Sequence, residues 1–322
     1  MTDQATDQAR PAVLLTGPVM EEVVERQLAS RFDLLPLDAL SDATAAAVRA
    51  IATRGKERVD EALMARLPAL KIVANFGVGY DTVDAAAAAR RGVIVTNTPD
   101  VLNEEVADLT LGLLLATVRQ IPQADRFVRD GKWLKGAYPL GPTLRERTVG
   151  IVGMGRIGKA IARRLEAFAV PVAYHSRRQQ PDVDLPYFAS LLDLARAVNV
   201  LVVIVPGGAA TRHLVNADVL AALGPDGILI NVARGTVVDE AALLKALQSR
   251  TILAAGLDVF EKEPHVPEAF LGLDNVVLLP HVGSSTHHTR AAMGQLVVDN
   301  IVAFLDGKGP LTPVAETPWT KA

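Results

Sequence analysis

Residues 148–178 read TVGIVGMGRIGKAIARRLEAFAVPVAYHSRR, and this stretch decides the fold. A short apolar strand, Val149 to Val152, runs into a turn containing Gly153, Gly155 and Gly158. A helix with apolar residues at Ile157, Ile161 and Leu165 follows, and then a second strand, Val170 to Tyr174. In that βαβ setting a G-x-G-x-x-G turn is a dinucleotide-binding pattern. Gly153 permits the tight turn, Gly155 lets the backbone approach a pyrophosphate, and Gly158 allows the helix to pack on the strand. The helix N-terminus then offers free N–H groups and its positive dipole end to the anion.

The end of the second strand indicates which dinucleotide. An NAD site places Asp or Glu about 20 residues after the glycines, to accept from the ribose 2′-OH, whereas an NADP site places cations there. Here the tip reads His175, Ser176, Arg177, Arg178. It has no carboxylate to repel a 2′-phosphate and two guanidiniums to grip one bidentately. NADP is the expected cofactor, with NADPH preferred over NADH.

Working outward, 322 residues suggest about two domains. Half of the residues are hydrophobic and aromatics are scarce, which suits helices packed on parallel sheets. The formal net charge of −3 gives no electrostatic case for nucleic acid. No run reaches the ~18 apolar residues of a membrane span. The N-terminal MTDQATDQAR has no apolar h-region and reads as a short disordered leader, not a signal peptide. With no cysteine, disulfides, thiolate nucleophiles and Cys-based zinc sites are excluded, and a cytoplasmic location is expected. His287 and His288 are adjacent and would point to different helix faces, so no metal site is expected.

In chain order, strands are expected at Ala12–Leu15, Phe32–Leu35, Leu70–Asn75 and Val93–Thr96. Helices are expected from about Glu21 to Ser30, from Asp42 to Thr53 (Ala-rich) and from Ala85 to Arg90. That alternation implies a parallel α/β sheet. The loop Asn75-Phe76-Gly77-Val78-Gly79-Tyr80-Asp81 lies at a strand's carboxyl end, where such sheets bind ligands, although a plain turn explains its glycines as well. The helix from Val106 to about Arg119 is apolar on most of its circumference and must be buried, either between domains or against a second subunit. A long Pro/Gly loop with Trp133 and Tyr138 follows. Further strands are expected at Asn199–Val205, Ile228–Val232, Leu253–Asp258 and Val276–Leu279. Their carboxyl ends carry Arg234, the Asp258–Glu263 loop and His281. Each alone reads equally as a surface or structural residue, but together they share the edge that holds the dinucleotide turn. A final helix from Thr286 is expected to return to the first block.

The segments VGIVGMGRIG, NVARGTVVDEAAL, GLDVFEKEP and LLPHVGSST, with the GVGYD loop, resemble the D-2-hydroxyacid dehydrogenase family along nearly the whole chain. The likeness is strongest to its NADPH-dependent glyoxylate/hydroxypyruvate and hydroxyphenylpyruvate reductase branch. The resemblance implies two Rossmann-like, doubly wound parallel-sheet α/β domains. A cofactor domain, 100–285, is inserted in a substrate-binding lid domain, 1–99 plus 286–322. It implies that Arg234 binds the substrate carboxylate and carbonyl, and that Glu263 orients His281. Asp258 would contact the nicotinamide amide, and the Val78 and Gly79 N–H groups would hold the carboxylate. Ser284 is a further expected substrate contact. Expected cofactor contacts are Gly153, Met154, Gly155, Arg156, Ile157, Gly158, Ser176, Arg177, Arg178, Pro206, Thr211, Val232, Asp258 and Gly283. The implied reaction is NADPH-dependent reduction of a small 2-oxo acid by hydride transfer, His281 giving the proton; imidazole titrates near neutral pH, which suits it to that task. A homodimer joined through the Val106–Arg119 helix and its loop is implied too. The alternatives are a 2-ketogluconate or aryl-pyruvate reductase of the same family and, from another class, a dinucleotide-sensing corepressor-like scaffold. Glu263 argues against a formate dehydrogenase, which has glutamine there.

Overall fold

The computed structural model describes residues 10–320; the expected leader, residues 1–10, lies outside them except for Arg10. The chain divides into two compact units, one running to Leu102 and resuming at Thr286, the other spanning Asn103–Ser285. The first holds a five-stranded sheet built from β1 (Ala12–Leu15), β2 (Asp33–Pro36), β3 (Val48–Thr53), β4 (Ile72–Asn75) and β5 (Ile94–Thr96). The strand order is β2-β1-β3-β4-β5, all parallel. The second holds β6 (Val149–Val152), β7 (Val172–His175), β8 (Tyr187–Phe188), β9 (Val200–Val203), β10 (Ile228–Asn231), β11 (Ala254–Leu257) and β12 (Val276–Leu278). Their order is β12-β11-β10-β9-β6-β7-β8, again all parallel. The fold is therefore α/β with two Rossmann-like parallel sheets.

Strands covered on both faces read as unbroken apolar runs, and β9 (VLVV) and β10 (ILIN) are buried at every position. Alternate residues feed two cores, Leu201, Val203 and Leu229 on one face and Val200, Val202, Ile228 and Ile230 on the other.

Two expectations are corrected. Only Asp42–Ala45 of the Ala-rich segment is helical, and Val48–Thr53 forms β3, the middle strand of its sheet. Five of the six residues are buried and only Arg49 is exposed, so the segment carries no periodicity that separates strand from helix, and the β-branched Val48, Ile51 and Thr53 outweigh the alanines. The apolar Asn103–Val118 helix needs neither a second unit nor a second subunit to bury it: it packs on β10, β11, β12 and the Arg156–Glu166 helix of its own unit. A helix over Ile121–Arg129 had no expectation; Pro122 lies in its first turn, where a missing N–H costs nothing. The last helix, His287–Leu305, is capped by Thr286 and belongs to the first unit, where Gly294 seats it against Val23 and Val24. Among the described residues no helix is long and apolar enough to cross a membrane.

Candidate active site

The glycine turn closes at the carboxyl end of β6, whose neighbours are β7 and β9. The chain reverses its direction of travel across the sheet between β6 and β9, the switch point where open α/β sheets bind ligands. Gly153 has φ 106°, and a Cβ there would sit 2.5 Å from Ile204 O. A Cβ on Gly158 would overlap Gly153 O, so the first helical turn can close onto the strand only without one. At Gly155 an added Cβ would meet no protein atom within 4 Å, so protein packing does not demand that glycine. Gly155 is also the N-cap of the Arg156–Glu166 helix and makes no side-chain cap, leaving the first N–H groups facing outward. These features fit a dinucleotide pyrophosphate. Met154 is buried in the core, so only its backbone is available to a ligand, while Arg156 is exposed and Ile157 half-buried.

At the β7 tip, Arg177 and Arg178 are exposed and the turn is pinned from three sides. Ser176 Oγ donates to Arg178 O at 2.6 Å, Tyr187 OH donates to Ser176 O at 3.2 Å, and Gln180 N donates to Tyr174 OH at 2.9 Å. After β9, Thr211 Oγ1 donates to Pro206 O at 2.7 Å, which closes the Pro206–Thr211 turn on itself. Val232 is buried just past β10.

The next three strand ends bring Arg234, Glu263 and His281 together within the second unit. Glu263 uses both oxygens: Oε1 accepts from Phe260 N at 3.0 Å and Oε2 pairs with His281 Nδ1 at 2.7 Å. Burial would raise the Glu263 pKa, but the His281 hydrogen bond and charge, the Phe260 amide and the Arg234 charge outweigh it and hold the carboxyl below its ordinary range. An ionised carboxylate only accepts, so Nδ1 carries the proton and Nε2 is the imidazole's remaining edge.

His281 sits at φ 54°, a left-handed conformation that costs a non-glycine residue free energy. Asp258 holds it there. Its carbonyl accepts from His281 N at 2.8 Å, Oδ1 from Val282 N at 2.8 Å and Oδ2 from Gly283 N at 2.9 Å. The resemblance assigned Asp258 to the nicotinamide amide; both of its oxygens already clamp the loop that carries the histidine and leads on to Ser284. Burial raises the Asp258 pKa, opposed by those amides and by the His281 charge.

Two positioning residues escaped the sequence reading. Asn231 brackets the Arg234 turn, its Oδ1 accepting from Ala233 N at 3.1 Å and its Nδ2 donating to Arg234 O at 3.1 Å. Gly235 lies so close to the Phe260–Glu261 backbone that any Cβ would overlap it. The four segments NVARG, DVFEKEP, PHVG and the glycine turn are thus one carboxyl edge. Among the described residues no cluster of three or more His, Asp or Glu is arranged to hold a metal ion.

In the first unit the Gly77–Gly79 carbonyls are all engaged. Asn75 Nδ2 donates to Gly77 O at 3.1 Å and Gly79 O at 3.0 Å, Thr98 N also donates to Gly77 O, and Asn97 Nδ2 donates to Val78 O at 2.8 Å. Across a trans peptide the N–H points opposite to the C=O. Anchoring the carbonyls of residues 77 and 78 therefore turns the Val78 and Gly79 N–H groups away from the anchoring side chains, the form of an anion-binding nest.

The family model for D-isomer specific 2-hydroxyacid dehydrogenase, NAD binding domain, matches residues 111–283, and the chain belongs to that family. Among individual relatives, glyoxylate/hydroxypyruvate reductase A of Arabidopsis thaliana is 47% identical over 308 residues, 94% of this chain and 98% of that protein. A hydroxyphenylpyruvate reductase of Plectranthus scutellarioides is 45% identical over 314 residues, 94% of this chain and 98% of that protein. The crystal structure of an NADPH-dependent glyoxylate/hydroxypyruvate reductase from Sinorhizobium meliloti, in complex with NADP and malonate, matches with a TM-score of 0.92 at 52% identity, covering 98% of this chain and 99% of that one.

Proposed function

We propose that the protein reduces a small 2-oxo acid of the glyoxylate or hydroxypyruvate kind to the D-2-hydroxy acid, with NADPH as reductant and His281 as proton donor. The carrying observation is the 2.7 Å pairing of His281 Nδ1 with Glu263 Oε2, which leaves Nε2 as the edge that can reach a carbonyl oxygen. Arg234 supplies a planar fork for the substrate carboxylate and positive potential for the alkoxide as it develops. The Val78 and Gly79 N–H groups are further donors to the carboxylate in this reading, and Ser284 is a further substrate contact. Glu263 fixes the orientation and tautomer of the imidazole, while Asp258 keeps the supporting loop in its left-handed turn. NADPH, when bound, supplies the hydride to the carbonyl carbon. The residues that would hold it are Gly153–Gly158, Ser176, Arg177 and Arg178, with Pro206, Thr211, Val232, Asp258 and Gly283. In this reading the Asn103–Ser285 unit binds NADP and the other unit binds the substrate.

We also propose a homodimer and a cytoplasmic location. Trp133, Leu134 and Leu140, on one segment of chain, are all exposed, Leu134 at 94% and Leu140 at 103%, and such apolar surface suits a partner copy; the absence of cysteine suits a reducing compartment.

Steady-state kinetics test the chemistry. His281→Ala is expected to lower kcat with glyoxylate by roughly 10²- to 10⁴-fold, the usual contribution of a general acid, with NADPH affinity little changed. Full turnover in that variant overturns the proton-donor role. A tenfold preference for NADH overturns the role of Arg177 and Arg178. No NADPH oxidation with any 2-oxo acid would favour a dinucleotide-sensing scaffold, and a monomer by light scattering at micromolar concentration would overturn the dimer.

A further inference from the structure

β3 and β4 are paired neighbours with Thr53 opposite Asn75, and Phe76 N donates to Thr53 O at 2.8 Å. Arg54 and Phe76, the residues that follow, therefore leave the carboxyl edge of the five-stranded sheet side by side. Arg290, in the first turn of the His287–Leu305 helix, brings its guanidinium carbon to 5.5 Å from the centre of the Phe76 ring. Phe76 is only 4% exposed, so the ring is a fixed platform for that cation. Arg54 is exposed and loosely tethered, its Nη1 reaching Pro18 O only at 3.5 Å. Burial, and then the like charge of Arg54, push the Arg290 pKa down. Half-burying one guanidinium within reach of another disfavours the charged state, and an anion beside both would offset that cost. Phe76 also opens the loop whose Val78 and Gly79 amides are turned outward.

We propose that Arg54 and Arg290 form a second anion subsite next to that loop, selecting 2-oxo acids with an oxygen-bearing group, best a carboxylate, beyond the carbonyl carbon. The inference rests on the reading that the Val78 and Gly79 amides take the substrate's own carboxylate. Dicarboxylic 2-oxo acids then stand first, hydroxylated ones second, and alkyl 2-oxo acids last. Arg54 contributes charge on an exposed stem, whereas Arg290 contributes a planar fork held over the Phe76 ring, which lysine would not reproduce.

The test is NADPH oxidation with glyoxylate, pyruvate, hydroxypyruvate and oxaloacetate by the wild-type protein, Arg54→Gln and Arg290→Lys. In Arg54→Gln the ratio of kcat/KM for oxaloacetate to that for glyoxylate is expected to fall about tenfold through KM, the size of one charge-assisted hydrogen bond. The hydroxypyruvate ratio should fall less and the pyruvate ratio should stay put. Arg290→Lys should lower the oxaloacetate ratio as well. Arg54 is exposed, so its variant separates charge from folding. Unchanged ratios, or an equal loss on all four acids, overturn the subsite while leaving the parent reading standing. If the wild-type protein oxidises NADPH with none of them, the parent reading falls and the subsite with it.

Discussion

Two loops leave the carboxyl ends of parallel strands with two or more glycines each, and they are held in shape by opposite means. The Gly153–Gly158 turn is fixed by what is missing: its first and last glycines stand where any Cβ would strike Ile204 O or Gly153 O. The Asn75–Gly79 loop is fixed by what is present, since two asparagine side chains hold its carbonyls. A turn set by sterics fails when an atom is added, and a turn set by a side-chain clamp fails when atoms are removed.

The sharpest way to break this comparison is to add one carbon. Gly158→Ala is expected to cost about 3 kcal/mol, the upper range for overpacking a tight contact, and to weaken NADPH binding by more than tenfold. Thermal unfolding with an NADPH titration checks both, and a variant with unaltered melting and binding would show that the turn has slack. Asn75→Ala removes atoms instead. It should cost about 2 kcal/mol for two lost hydrogen bonds and raise the KM for glyoxylate severalfold, with NADPH affinity untouched. A loss of NADPH affinity equal to the rise in KM would erase the distinction between the loops.

The smallest effect sharpens the comparison at the end of the second loop. Tyr80 OH donates to Glu316 Oε2 at 3.0 Å, and burial, with that carboxylate and Asp81 adding to it, pushes the phenol up to about 12. A phenol whose folded pKa lies above its unfolded value near 10 adds stability below that value and loses it as pH rises through about 12. Tyr80→Phe is expected to be less stable by about 0.5 kcal/mol at pH 8, and the two proteins should converge between pH 10 and 12. Urea unfolding across that range checks it; a constant gap would mean that the hydroxyl does not titrate in the folded loop.

The same contrast explains what could be read in advance. Glycine spacing lies within six consecutive residues, so the first turn was legible with its chemistry. Arg234, Glu263 and His281 were legible because each ends a strand of one sheet and because their segments resemble a known family. The clamp was not. Asn97 is 19 residues from the carbonyl it holds, and an asparagine at a strand end has no periodic signature. The need for glycine at 235 was not legible either, because Phe260, the backbone it must admit, lies 25 positions downstream. The strand β3 was misread for the related reason that burial on both faces erases periodicity, leaving alanine's helical preference as the louder signal.

Donors that belong to the main chain are beyond the reach of most codon changes. Whatever residue other than proline stands at position 78 or 79, its N–H remains, and Asn75 and Asn97 still aim it. Under the proposed reading, the hold on the acid group is heritable with the backbone, whereas Arg54 and Arg290 are ordinary side chains open to replacement. Descendants of this sequence could exchange one 2-oxo acid for another by single substitutions at the rim, with no intermediate that lets go of the carboxylate.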